Sequence, residues 1–106
     1  KEKDAEEALK LLNSAFNLAE STHSEELKIH CLFNQARVYA KIDKGKAKES
    51  FLAAIELCEK YRIKKLLADI YYAYAIFLHQ IGDAQMAKKY KNIANNHYSE
   101  IKIKRK

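Results

Sequence analysis

Apolar and polar residues alternate along this chain at helical spacing, and the small apolar ones are the most regular. Ala8, Leu12 and Ala15 recur as Ala47, Phe51 and Ala54, then as Ala87, Lys91 and Ala94, displaced by 39 and then by 40 residues. The i, i+4, i+7 spacing places each set on one helical face. The alanines on that face let a neighbouring helix approach closely. A complementary set, Leu32, Ala36 and Tyr39, returns 39 residues later as Tyr71, Ala75 and Leu78, each time just upstream of an alanine-spaced helix. The repeating unit is therefore a helix pair, with a large-small-large stripe on the first helix and a small-large-small stripe on the second. This pattern predicts antiparallel helical hairpins, and a fixed period of this size predicts that they stack as a solenoid.

Five helices follow from the stripes, over about residues 4–20, 24–41, 46–61, 64–81 and 84–101, and no stretch reads as a strand. The chain has no proline and two glycines, Gly45 and Gly82, both falling between stripes where turns are expected. Ser24 and Asp83 stand where N-caps belong, and Thr22 with Glu25 offers a capping box for a helix that begins earlier.

With a large, a small and an aromatic position on the first helix, and Ala, aromatic and Ala on the second, the chain resembles the tetratricopeptide repeat family. The third unit carries the resemblance best, through Tyr71, Tyr74, Ala75, Leu78, Gly82, Asp83, Ala87 and Ala94 in family order. The second does so through Leu32, Ala36, Tyr39, Ala47, Phe51 and Ala54, and the first is a half unit. The implied organisation is an all-α helical-repeat domain over residues 1–101. It comprises a half repeat at 4–20, repeats at 24–61 and 64–101, and a basic tail at 102–106. The period is longer than the usual 34 or so, Lys91 stands in the place of an aromatic, and the prolines that usually close a unit are absent. In length the units resemble those of bacterial signalling ATPases, regulators and peptide-sensing transcription factors, and the chain reads as a piece of a longer array.

The chain has 106 residues and a formal net charge of +6, and the position of that charge matters more than its size. From Lys88 onward there are seven basic residues against Glu100 alone, so the excess lies in the last helix and tail while residues 1–87 balance. The body of the domain thus has no polyanion-binding character. The tail residues Lys102, Lys104, Arg105 and Lys106 read as solubilising cations at a helix C-terminus, and nucleic acid is not an expected partner. No run of about 18 apolar residues occurs, so no membrane span is expected. Cys31 and Cys58 lack zinc or CxxC spacing and read as reduced structural thiols, which suits a cytoplasmic protein.

Catalytic chemistry is not expected. Gly45-Lys46 lacks the upstream glycine and the following Ser or Thr of a phosphate loop. The four histidines show no metal-ligand spacing, and no serine sits between glycines. Neither a metal nor a cofactor is implied.

The resemblance implies instead that the first helix of each unit lines a concave groove. On this chain those positions are His30, Phe33, Arg37 and Lys41 in the second unit, and Asp69, Tyr72, Ile76 and His79 in the third. The expected role is a protein-interaction or sensor module that holds a peptide or helix of a partner in this groove, with these residues partly exposed. The alternative is an intramolecular spacer or dimerisation element in a multidomain ATPase or transcription regulator. Helix one, with Ala5, Ala8, Leu9, Leu12 and Phe16 on its apolar stripe, is the expected surface for self-association.

Overall fold

The computed structural model describes residues 2–105, with side chains described for residues 3–102. The fold is all-α: five helices in chain order, α1 (Glu2–Ser21), α2 (Glu25–Ile42), α3 (Lys44–Tyr61), α4 (Lys64–Gln80) and α5 (Ala84–Arg105), with no strand among the described residues. Of the basic tail, Lys102 is exposed on the last turns of α5, whereas the side chains of Lys104 and Arg105, and Lys106 as a whole, lie outside the described residues.

The helix ends explain why five helices form. Ser24 caps α2 by accepting the Leu27 N–H at 3.3 Å, and Asp83 caps α5 by accepting the Met86 N–H at 3.2 Å. The Thr22 and Glu25 capping box does not form, because the Thr22 hydroxyl donates backward to the Leu18 carbonyl at 2.9 Å. Gly45 also departs from expectation. Asp43 is extended and its carboxylate accepts the Lys46 N–H at 3.1 Å, so α3 starts at Lys44 and Gly45 lies in its first turn rather than between helices.

Three other helices stop in one common way. After α1, α3 and α4 a residue with positive φ turns the chain, His23 at 58°, Arg62 at 55° and Gly82 at 92°. At each, the next residue donates five positions back (Ser24 to Ala19, Ile63 to Cys58, Asp83 to Leu78), and the turning residue donates three back. This is the Schellman closure, which satisfies carbonyls the helix leaves open. Only one of the three sites uses the residue that adopts positive φ without steric penalty.

Two compact units divide the chain, Lys1–Leu57 and Cys58–Lys106, with the division inside α3. In the first, α1 packs on α2, and Gln35 donates to the Asn13 side chain at 3.0 Å across them. Ile29 and Ala36 of α2 and Ala47 and Ala54 of α3 are fully buried. The Phe33 and Phe51 rings meet with centroids 6.3 Å apart, fixing α2 against α3. Ala8, Leu12 and Ala15 of α1, by contrast, are only half-buried.

In the second unit α4 packs on α5. Nine residues of α4 are buried, among them Ile70, Tyr71, Tyr74, Ala75 and Leu78, so apolar residues occupy most of its circumference. Tyr71 stacks on both Tyr90 (5.8 Å between centroids) and His97 (5.6 Å), while Tyr74 meets Tyr90 edge-on at 4.9 Å. The Tyr71 hydroxyl donates to the Glu59 carboxylate, and the Tyr98 hydroxyl donates to Asp69. These bonds satisfy the one polar group each ring carries inward. On α5, Ala87 and Ala94 are buried and Lys91 between them is exposed.

Candidate functional site

The predicted groove residues fall into two sets, one per unit. On α2, His30 is exposed and lies 3.8 Å from the Glu26 carboxylate one turn earlier. Lys41 is exposed in the last turn. Arg37 lays its guanidinium 4.1 Å from the centroid of the Phe33 ring, a cation-π contact. Phe33 itself departs from expectation: at 5% exposure it belongs to the core with Phe51 and presents no groove surface. The physical reason is its neighbours. An aromatic ring flanked by Phe51 and roofed by Arg37 has lost its water on both sides.

On α4 the outcome is different. Asp69 is half-buried and held by Lys65 Nζ at 3.2 Å and by the Tyr98 hydroxyl at 2.5 Å, so its charge is already engaged. Burial, together with the hydrogen bond to Asp69 and its charge, pushes the Tyr98 phenol up to about 12. Tyr72 and Ile76 are 41% and 47% exposed, and His79 is exposed one turn further. These three stand at i, i+4 and i+7, a single stripe along α4. Facing it, Ala84, Ala87, Lys88 and Lys91 of α5 stand at i, i+3, i+4 and i+7.

Between the two stripes lies an open hollow of about 460 Å³, with Ala75 and Ala87 in its floor and Lys88 and Lys91 on its rim. Its origin is legible in the residues. Two alanines leave the floor low, and Lys91 stands where the preceding copy of the pattern has Phe51. The α5 residues were not among the predicted site residues. The signal that could have found them is Lys91, the one break in the alanine-spaced stripe. A second hollow of about 300 Å³ involves Glu59, Arg62, His97 and Glu100 and joins the start of α4 to the end of α5. Its lining mixes both charge signs and points to no one ligand.

Cys31 and Cys58 are buried and form no disulfide, and burial raises the Cys31 thiol pKa. The Cys58 thiol donates to the Ile63 carbonyl at 3.3 Å, inside the turn that ends α3, which gives it a structural task. Among the described residues no group of three or more His, Cys, Asp or Glu side chains gathers as a metal site, and no helix is long and apolar enough to cross a membrane. No protein-family model, curated protein or solved structure matches the chain.

Proposed function

We propose that this chain is a helical-repeat interaction module of the tetratricopeptide kind, holding a peptide or helix of a partner protein on exposed faces of its hairpins. The observation that carries this reading is the α4–α5 hollow. Two large apolar side chains, Tyr72 and Ile76, stay open to water beside a small-residue floor, on a helix whose other large apolar side chains are buried. Apolar and aromatic groups around a concavity are the usual anchors of protein recognition. A role inside a larger cytoplasmic signalling or regulatory protein accords with the repeat period and with buried thiols outside any disulfide. No reaction is assigned.

A second reading has its own observation. Leu11 and Leu18 of α1 are 72% and 59% exposed and stand seven residues apart on one face. Such a stripe suits a spacer or dimerisation element that associates through α1.

The two readings separate in one experiment. Peptides are selected from a displayed random library on the immobilised chain, in parallel with Tyr72→Ser/Ile76→Ser and Leu11→Ser/Leu18→Ser variants. Enrichment that the α4 double variant abolishes, and the α1 variant leaves intact, is the expected result. Absence of any enriched peptide, with concentration-dependent sedimentation that only the α1 variant removes, would replace the module with the dimerisation element.

A further inference from the structure

We propose, resting on the interaction reading above, that the occupant of the α4–α5 hollow is an acidic amphipathic helix of a partner protein. Three observations converge on that chemistry.

The first is charge. The ionisable residues lining the hollow are His79, Lys88 and Lys91, with Tyr72, and no carboxylate lines it. The nearby acids are engaged elsewhere, Asp69 by Lys65 and Tyr98, and Asp83 by the Met86 N–H at the start of α5. Two ammonium groups on the rim of an apolar floor favour a ligand with apolar residues flanked by carboxylates, and they disfavour a basic one.

The second is shape. Two stripes, i, i+4, i+7 on α4 and i, i+3, i+4, i+7 on α5, leave a furrow about two turns long, roughly 10 Å. A ridge of side chains at i, i+3, i+4, i+7 on an incoming helix fits a furrow of that kind. No strand occurs among the described residues, so no sheet edge is offered to pair with the backbone of an extended peptide.

The third is the internal copy. Phe33 lies 39 residues before Tyr72, and Phe51 lies 40 before Lys91. In the first copy these two rings are buried against each other, and Arg37, the counterpart of Ile76, covers Phe33. The same repeat positions are thus filled from within in one copy and left open in the other. Replacement of the ring by Lys91 both empties the position and charges it. A partner's leucine or phenylalanine would supply the missing apolar volume, and its carboxylates would meet the ammonium that took the ring's place.

The test uses the full chain, labelled with ¹⁵N, and three synthetic peptides of about 15 residues, near the length at which an isolated helix begins to hold in water. One is built from Glu, Ala and Leu with leucines at i, i+4 and i+7. The second has every Glu replaced by Lys, and the third has a central Pro. We expect the acidic peptide to move the amide resonances of Tyr72, Ile76, Ala87 and Lys91, and the lysine and proline twins to bind at least about tenfold more weakly. Lys88→Glu/Lys91→Glu should reverse the preference between the acidic and basic peptides, with a thermal melt that overlays the wild type.

Equal binding of the acidic and basic peptides at the hollow would overturn the charge argument and leave the interaction reading standing. Equal binding of the proline twin would overturn the helix. Shifts confined to other residues would overturn the site, while the library selection still decides whether the chain is a binding module. Were the same four residues to shift on simple dilution of the chain, with no effect of any peptide, the occupant would be a second copy and the proposal would fall.

Discussion

The α2–α3 and α4–α5 hairpins are built on one residue pattern and finish differently. In the first, Phe33 and Phe51 pack ring on ring, both almost completely buried, and the Arg37 guanidinium covers Phe33. In the second, the corresponding Tyr72 and Lys91 are exposed, and Ile76 stands where Arg37 would be. The second hairpin instead concentrates its aromatic packing elsewhere, around Tyr71, Tyr74, Tyr90 and His97. A repeat can therefore keep its helix spacing, which the alanines set, while moving its aromatic mass from one side of the hairpin to another. The side left short of volume stays open to water.

Base should separate the two hairpins most. Burial raises the phenol pKa of Tyr71, Tyr74 and Tyr98, to about 12 at the last two, and all three belong to the unit that holds α4 and α5. For a group whose pKa is higher in the folded chain, the stabilisation is complete below the ordinary tyrosine value and disappears as pH rises through the folded value. Stability should accordingly hold up to about pH 10 and be lost by about pH 12. Helical circular dichroism should fall over the same interval in which phenolate absorbance appears. Tyr74→Phe and Tyr98→Phe should each shift the loss to higher pH, and an unshifted transition would remove these phenols as its cause.

Truncation of the filled position comes next. Phe51→Ala should destabilise the chain by about 3 to 5 kcal/mol in urea melts, and Phe33→Ala by a similar amount, since each empties a buried ring site. Lys91→Ala should change stability by less than about 0.5 kcal/mol, as expected of an exposed side chain without a structural partner to lose. A similar cost at Phe51 and Lys91 would break the comparison, because it would mean that the Lys91 stem fills the second hairpin as the ring fills the first.

The alanines should behave alike in both hairpins. Ala54 and Ala94 are fully buried, so the exposure of Lys91 does not loosen the stripe around it. Enlargement of either to Leu should cost about 1 to 3 kcal/mol through overpacking. A markedly smaller cost at Ala94 would show that the opening beside Lys91 extends inward to the helix contact.

The glycines should respond in opposite directions, with the smallest effects. A Cβ on Gly45 would stand 3.6 Å from the Asp43 carboxylate, an ordinary contact in a helical first turn, so Gly45→Ala should stabilise by up to about 1 kcal/mol. Gly82 has open space around it but a φ of +92°, so Gly82→Ala should cost about 1 to 2 kcal/mol through backbone strain alone. Loss at both positions would mean that α3 does not begin where Asp43 caps it.

How far the residues alone reveal the molecule depends on the range of the interaction that decides each feature. Ala47, Ala54, Ala87 and Ala94 are buried as their spacing implies, and Ser24 and Asp83 cap helices by hydrogen bonds spanning three residues. Such features follow from periodicity and local donors. Asp43 was legible in principle by the same rule, yet the glycine two residues on reads more loudly as a turn. The positive φ at His23 and Arg62 has no local signature, because a Schellman closure imposes its backbone geometry on whatever residue follows the helix.

The candidate site is where pattern reading and structure part. Tyr72, Ile76 and His79 are exposed on α4, as the resemblance implies for groove positions, whereas Phe33, at the same repeat position as Tyr72, is buried. Period and helix face are equal for the two, so spacing cannot distinguish them. What distinguishes them is the residue that α3 or α5 presents across the hairpin: Phe51 in one case, Lys91 in the other.

The sequence by itself determined that the chain is all-α, where its five helices lie and that the alanines Ala47, Ala54, Ala87 and Ala94 are buried, because these depend on the period of small and large side chains and on capping groups within a few residues. Only the tertiary structure decided which member of each repeated pair of positions is core and which is surface. Burial is a sum over side chains brought together from different helices, and a single ring exchanged for an ammonium 40 residues away in the pattern reverses its outcome.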